Sequence, residues 1–241
     1  MKIDIIGTGN VGSHLSKALT PKANIVNVNA RSLAGLRPDS QVYIICVSDD
    51  AIRSVAEKIS RIIPEEAVLA HTSGSTPLSL ILEIHTRAGV FYPLQTFTKG
   101  IALNYKEIPF FIEASDSETL HVLGEVADAI GGEYKVLDSQ KRKDLHMAAV
   151  IASNFSNHLW ALADDFLQTK GISFTHLMPL LSETLRKAME TSPTDAQTGP
   201  ARRHDHRTMT EHLERLAGSP ELSEIYTQMS KSIINHYPIE K

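Results

Sequence analysis

Met1-Lys-Ile-Asp-Ile-Ile-Gly7-Thr8-Gly9-Asn10-Val11-Gly12 opens the chain and decides its reading. A short apolar run, Ile3 to Ile6, leads directly into three glycines spaced as GxGxxG. An amphipathic stretch follows, with Val11, Leu15, Ala18 and Leu19 on one helical face. Strand, glycine turn and helix in that order form the setting a dinucleotide fingerprint requires. Gly7 is read as the tight turn, Gly9 as the point where backbone approaches a pyrophosphate, and Gly12 as the point where helix and strand pack closely. Free N–H groups and the dipole at the helix start favour the anion. A turn of the same shape that has lost its ligand, or one that binds S-adenosylmethionine, carries the same glycines.

Strand and helix signals alternate outward from this turn. Strands are expected at 2–6, 24–28, 41–47, 67–71, 90–92, 109–113 and 133–137, and helices at 10–19, 50–62, 77–88 and 117–130. Gly131-Gly132 stops the last of these helices. Such alternation predicts an α/β fold with a mostly parallel sheet covered on both faces. Beyond Leu137 the period becomes purely helical, at 139–169, 174–190, 206–216 and 220–237, with Asp138-Ser139 as an N-cap pair. The reading is therefore a sheet domain over 1–138 and an all-helical domain over 139–241. The first long helix is apolar nearly all round (Leu145, Met147, Val150, Ile151, Phe155, Leu159, Trp160, Leu162, Phe166). A helix buried on every face needs partners on every face. A second copy of the chain is expected to supply some of them; a compact monomeric bundle is the alternative.

The second strand ends in Asn29-Ala30-Arg31-Ser32. An NAD-preferring site places a carboxylate there to accept the ribose 2′-OH. Here no carboxylate repels a 2′-phosphate, Arg31 is placed to pair with one, and Ser32 to donate a hydrogen bond. Arg37 is a candidate second cation. The expectation is NADP, with Arg31 as a solvated loop residue the alternative.

Val47-Ser48-Asp49 follows the third strand, His71-Thr72-Ser73-Gly74-Ser75 the fourth and Tyr92-Pro-Leu-Gln95-Thr-Phe97 the fifth; the long helix contains Ala152-Ser-Asn154-Phe155; and Thr198-Gly-Pro200 precedes Arg203 and Asp205. With the opening glycines, these motifs resemble a bacterial family over essentially the whole chain. That family joins a Rossmann-like domain, of the deazaflavin-dependent NADP-oxidoreductase type, to a helical C-terminal domain of unknown function. More distantly, the plan is similar to pyrroline-5-carboxylate reductase, ketopantoate reductase and the beta-hydroxyacid dehydrogenases. The resemblance implies NADP binding and a homodimer built through the helical domain, and supplies no established substrate. Tyr92 stands where many relatives have histidine, so no catalytic role is carried over to it. His204 stands where glycine is common.

Ligands of an open α/β sheet lie beyond the carboxyl ends of its strands. Val47, Ser48 and Asp49 are expected at the adenosine-ribose side, with Asp49 alternatively a helix N-cap. Ser73, Gly74 and Ser75 are expected near the nicotinamide and substrate, their turn alternatively structural, and Gln95 is expected to face the same cleft. Reduction of a carbonyl or imine needs a proton donor. Lys143 and Asn154 differ by only about 20° around an α-helix, and His146 lies on a neighbouring face. The candidates are His146 as acid, Asn154 as substrate or nicotinamide ligand, and Lys143 beside them. In the loop after Thr198, Arg203 is a candidate for a substrate carboxylate or phosphate, with Asp205 alternatively holding it in place. His204-Asp-His206 lacks a third ligand, so no metal is expected.

A net charge of −4 offers no general case for nucleic acid or an anionic membrane. The single cysteine, Cys46, forms no internal disulfide and reads as a buried strand residue. The apolar stretch at 145–167 is interrupted by His146, Asn154, Asn157, His158, Asp164 and Asp165, and no charged-then-apolar leader precedes the first strand, so a cytoplasmic protein is expected. The functional expectation is an NADP-dependent oxidoreductase of a small carbonyl or imine compound. The alternatives are a non-catalytic NADP-binding protein that senses redox state or acts through partners and, more distantly, a methyltransferase.

Overall fold

The computed structural model describes residues 1–238. Seven strands, β1 (Lys2–Ile6), β2 (Asn24–Val28), β3 (Val42–Ile45), β4 (Val68–His71), β5 (Ala88–Pro93), β6 (Phe110–Ala114) and β7 (Tyr134–Val136), form one sheet in the order β2-β1-β3-β4-β5-β6-β7. β1 to β5 are mutually parallel. β6 runs antiparallel to β5, with Tyr92 opposite Phe111, and β7 runs parallel to β6. The direction of strand addition reverses at β1, which has β2 on one side and β3 on the other. The carboxyl ends of β1 and β3 therefore flank the crevice where open α/β sheets bind ligands.

Alternate strand residues feed two cores. Ile3, Ile5, Val42, Ile44 and Phe91 pack on one face with Leu15 and Leu19 of α1 (Asn10–Leu19) and Leu123 and Val126 of α4 (Ser117–Ile130). Ile6, Tyr43, Ile45 and Leu69 pack on the other with Ile52, Val55 and Ile59 of α2 (Asp49–Ile59) and Ile81 of the short α3 (Ser79–Leu82). This is the period-2 partition expected of strands covered on both faces. α3 is much shorter than the helix expected over 77–88. β5 takes Ala88 and Gly89, and Gly89 is a glycine because Leu123 lies over it: a Cβ there would stand 2.5 Å from Leu123 Cδ1.

The chain divides into two compact units at Ala152/Ser153 rather than near residue 138. α5 (Ser139–Ala149) thus belongs with the sheet, and its anchoring by Arg142, described below, is the physical reason. After α5 the helix is wound as π turns over Val150–Phe155 and returns to α geometry in α6 (Ser156–Gln168). The second unit continues with α7 (Met178–Glu190), α8 (His206–Arg215) and α9 (Pro220–His236). Within the single chain the long helix is not buried on all faces: Met147, Ile151, Phe155 and Trp160 are exposed. No described helix is long and apolar enough to cross a membrane.

Asp116 caps α4 by accepting from the Thr119 amide at 2.8 Å and the Thr119 hydroxyl at 2.9 Å. The amide bond, with help from the Ser115 hydroxyl and Arg87, holds its carboxyl down to about 2. The folded pKa lies below the unfolded one, so the stabilisation is present above about pH 4 and is lost as pH falls through 2. Asp116→Ala is expected to cost about 1 kcal/mol at pH 7, with a deficit that narrows toward pH 2. Urea denaturation of both proteins at stepped pH measures it, and a deficit unchanged at pH 2 would refute the assignment.

Candidate active site

A cavity of about 520 Å³ lies beyond the carboxyl ends of β1 to β4, lined by Gly7 to Val11, Asn29 to Arg31, Cys46 to Ser48 and Thr72. Each expected glycine function has a measurable basis. Gly7 turns with φ +120°, and a Cβ on it would lie 2.2 Å from the Cys46 carbonyl oxygen. A Cβ on Gly12 would lie 2.0 Å from the Gly7 carbonyl oxygen, so α1 reaches β1 only without a side chain there. A Cβ on Gly9 would meet nothing within 4 Å, because the space above the turn is open. Gly9 is also the N-cap of α1 and supplies no side-chain bond to its first amides. Open space, free donors and a dipole are the combination that suits a pyrophosphate. Cys46 lines the cavity, yet burial pushes its thiol up to about 12, which leaves it an unreactive wall.

At the end of β2, Asn29 Oδ1 accepts from the Arg31 amide at 2.9 Å and the Ser32 amide at 3.3 Å, fixing the turn that carries Arg31 into the lining. The Arg31 guanidinium makes no hydrogen bond or ion pair among the described residues. Ser32 is different from expectation: it lies outside the lining and its hydroxyl accepts from the Ala34 amide. Arg37 also lies outside the cavity lining. It pairs with buried Asp4 (Nε–Oδ1 2.7 Å) and donates to the Ile3 and Asn24 carbonyls, toward the amino ends of β1 and β2. Ser48 occupies the N-cap position of α2. Asp49 is the first helical residue, not the cap, and accepts from the Ser75 hydroxyl; it does not line the cavity.

The turn after β4 is tied together internally. The Ser73 amide donates to His71 Nδ1 (3.1 Å), and the Ser73 hydroxyl accepts from the amides of Ser75 (3.1 Å) and Thr76 (2.9 Å). The hydroxyls expected to meet ligand at Ser73 and Ser75 therefore have partners within the protein. Of this motif, Thr72 lines the cavity.

Gly74 lies instead against a pair the sequence did not join. The phenol oxygen of Tyr92, at the end of β5, stands 3.1 Å from Nδ1 of half-buried His146 on α5. Burial raises the Tyr92 phenol, and the Arg142 cation partly opposes that. Arg142, one helical turn before His146, is completely buried. It ion-pairs through Nη1 with Glu113 of β6 and donates through Nη2 to the Thr76 carbonyl. Its neighbour Ser139 donates to Glu113 at 2.7 Å. Arg142 pins α5 to the sheet and fixes the height of His146; in the sequence alone it is an arginine in a polar first turn, which has the look of a solvated residue.

Lys143 is exposed on the same helix. Lys143 and Asn154 share a face only on unbroken α turns, and the π turns over Val150–Phe155 break that register. Gln95 is exposed, and its Oε1 accepts from the Thr96 amide. Arg203 is exposed in the second unit. Asp205 does not hold it by an ion pair: its carboxylate caps α8 through the Thr208 amide (3.0 Å) and hydroxyl (2.7 Å). Among the described residues no group of three His, Cys, Asp or Glu side chains is arranged to hold a metal.

Fold and cavity together define a Rossmann-like sheet unit followed by a helical unit. The chain belongs to the family of the domain of unknown function DUF2520, which matches residues 108–233, slightly more than half of its length. A Bacteroides fragilis protein, provisionally named an NADP oxidoreductase, is 35% identical over 97% of this chain and 98% of its own, with a TM-score of 0.89. A Thermotoga maritima protein is 23% identical over 98% of both chains, with a TM-score of 0.72. Plasmodium falciparum pyrroline carboxylate reductase, solved with NADP bound, shares the fold at 12% identity and a TM-score of 0.63, over 97% of this chain and 98% of its own. No curated protein matches significantly.

His71 offers a test of this region. Burial, reinforced by the Arg142 charge, pushes its imidazole down to about 4. Between about pH 6.5 and 4 the unfolded chain therefore binds the proton that the folded chain refuses, so stability falls as pH falls through that window. The expected loss is up to about 3 kcal/mol. Denaturation at pH 7.5 and 4.5 should show a steeper loss for the wild type than for His71→Asn, whose side-chain oxygen keeps an acceptor for Ser73; equal slopes would contradict it.

Proposed function

We propose that this protein is an NADP-dependent oxidoreductase that transfers hydride between the nicotinamide cofactor and a small carbonyl or imine compound. The observation that carries the reading is the cavity at the strand-order reversal, with open space over Gly9 and an unpaired Arg31 at its rim. The provisional name of the Bacteroides fragilis relative and the NADP in the Plasmodium falciparum reductase support the same reading. Gly9, Asn10 and Val11 would hold the pyrophosphate and Arg31 the 2′-phosphate. Bound, the cofactor supplies the hydride. His146 is the proton donor, and Gln95 is a candidate substrate ligand. The protein acts in the cytoplasm.

Calorimetric titration of NADPH and NADH tests the reading. NADPH is expected to bind at least about tenfold more tightly, and Arg31→Ala to remove that preference, as loss of a charge-assisted phosphate contact would. Absence of binding by either nucleotide would defeat the proposal.

A homodimer through the helical unit completes it. In that unit the apolar side chains Leu180, Leu185 and Met189 of α7 are 60%, 64% and 78% exposed, whereas Ala201, Met209 and Leu216 are buried. Apolar exposure on this scale marks an association surface. Light scattering after size exclusion should give twice the 26.5 kDa chain mass. The double substitution Leu185→Asp and Met189→Asp, one turn apart on α7, should shift the protein toward monomer. A wild-type monomer at micromolar concentration would reject the dimer.

A further inference from the structure

We infer that Tyr92 and His146 act as one proton-donating couple for a carbonyl substrate, an inference that rests on the nicotinamide reading above. The two residues are 54 positions apart in sequence and meet at 3.1 Å, Oη to Nδ1. The Tyr92 ring is buried, and His146 is the hydrogen-bond partner of its hydroxyl among the described residues. A proton on Nδ1 would leave the phenol O–H without an acceptor in a buried place, which is costly. Nε2 of His146 has no bonded partner among the described residues and is not a buried orphan, so it can carry its proton toward solvent or substrate. Satisfaction of both groups therefore selects one arrangement: the Tyr92 hydroxyl donates to Nδ1, and Nε2 bears the hydrogen.

Two further features hold the couple in place. A Cβ on Gly74 would stand 2.7 Å from His146 Nδ1 and 2.9 Å from Tyr92 Cζ, so any larger residue there drives the two rings apart. Arg142 fixes the helix turn that carries His146 and sets a buried cation near the phenol. Gly74 and Arg142 are positioning residues. Tyr92 is one too, acting on substrate through His146.

The proton balance follows. A bound reduced nicotinamide would supply hydride to the carbonyl carbon, and the C=O π pair would move to oxygen. The Nε2–H bond of His146 breaks and a new O–H bond forms. The Tyr92 O–H bond breaks and its proton joins Nδ1, so no imidazolate is left behind. The Nδ1 proton then returns to the phenolate, near the Arg142 cation, and Nε2 takes a new proton from solvent, which restores the starting arrangement. A carbonyl oxygen that becomes alkoxide requires such a donor. An iminium that becomes an amine requires none, because hydride alone neutralises it. The couple thus points to an aldehyde or ketone.

Nitrogen-15 NMR of the full-length protein, with the His146 signals assigned through His146→Gln, reads the tautomer directly. The expected result is a proton on Nε2 and a bare Nδ1 in the wild type, with the preference lost in Tyr92→Phe and in Gly74→Ala. In NADPH-driven turnover of an aldehyde and ketone panel, Tyr92→Phe and His146→Gln are expected to lose about 100-fold or more, with NADPH affinity unchanged. A wild-type proton on Nδ1, or carbonyl turnover indifferent to Tyr92→Phe, overturns the couple even if NADPH binds. Turnover of cyclic iminium compounds but no carbonyl overturns the substrate class. Absence of NADPH binding with the Nε2–H form intact overturns the nicotinamide reading, and the catalytic use of the pair with it.

Discussion

Helix α1 descends onto strand β1 until the Gly12 backbone touches the Gly7 carbonyl, and the rest of the upper sheet is arranged around that contact. A single methyl at position 12 would sit 2.0 Å from that oxygen. The closeness aims the first amides of α1 across the end of β1, and the reversal of strand order opens the crevice they face. The walls of the crevice follow from the parallel register. Because β2, β3 and β4 all point the same way, their loops bring Arg31, Cys46 and Thr72 to one rim.

The parts legible in the sequence are those fixed by local chemistry. β1, β2, α1 and α4 fall where apolar period, glycine and cap residues place them, to the residue. Gly7 makes the tight turn and Gly12 the close packing that their spacing implies, and the space over Gly9 is open. Local chemistry misleads where a distant partner decides. Asp49 is polar and well placed in sequence, yet it is bonded to Ser75 of the turn after β4. Arg37 is drawn away by Asp4, a buried carboxylate whose need for a cation is invisible in a strand pattern. The helix expected to run to Ala88 stops early because β5 claims that residue for pairing with β4.

The Tyr92–His146 pair was beyond sequence reading for the same reason. Position 92 reads as a departure from its relatives, and His146 as a candidate acid on its own helix with nothing in the sequence to name its partner. What unites them is Arg142, whose buried pair with Glu113 ties α5 to the antiparallel end of the sheet. Buried ion pairs of this kind contribute less to net stability than to holding one geometry, and losing one partner strands the other charge. The family match begins at residue 108, so it includes Glu113, Arg142 and His146 and excludes the glycine turn. The compact sheet unit accordingly extends through Ala152.

Cys46 gives the molecule a practical property. Its thiol is protonated far above neutral pH and walled in by the strand ends, so alkylating and spin-labelling reagents will pass it by. Any cysteine introduced on the exposed surface becomes the single reactive thiol of the chain. Labels can then be placed on α7 or beside Arg31 in the otherwise native sequence, and distances between copies of the chain, or between rim and ligand, measured without first removing a native cysteine.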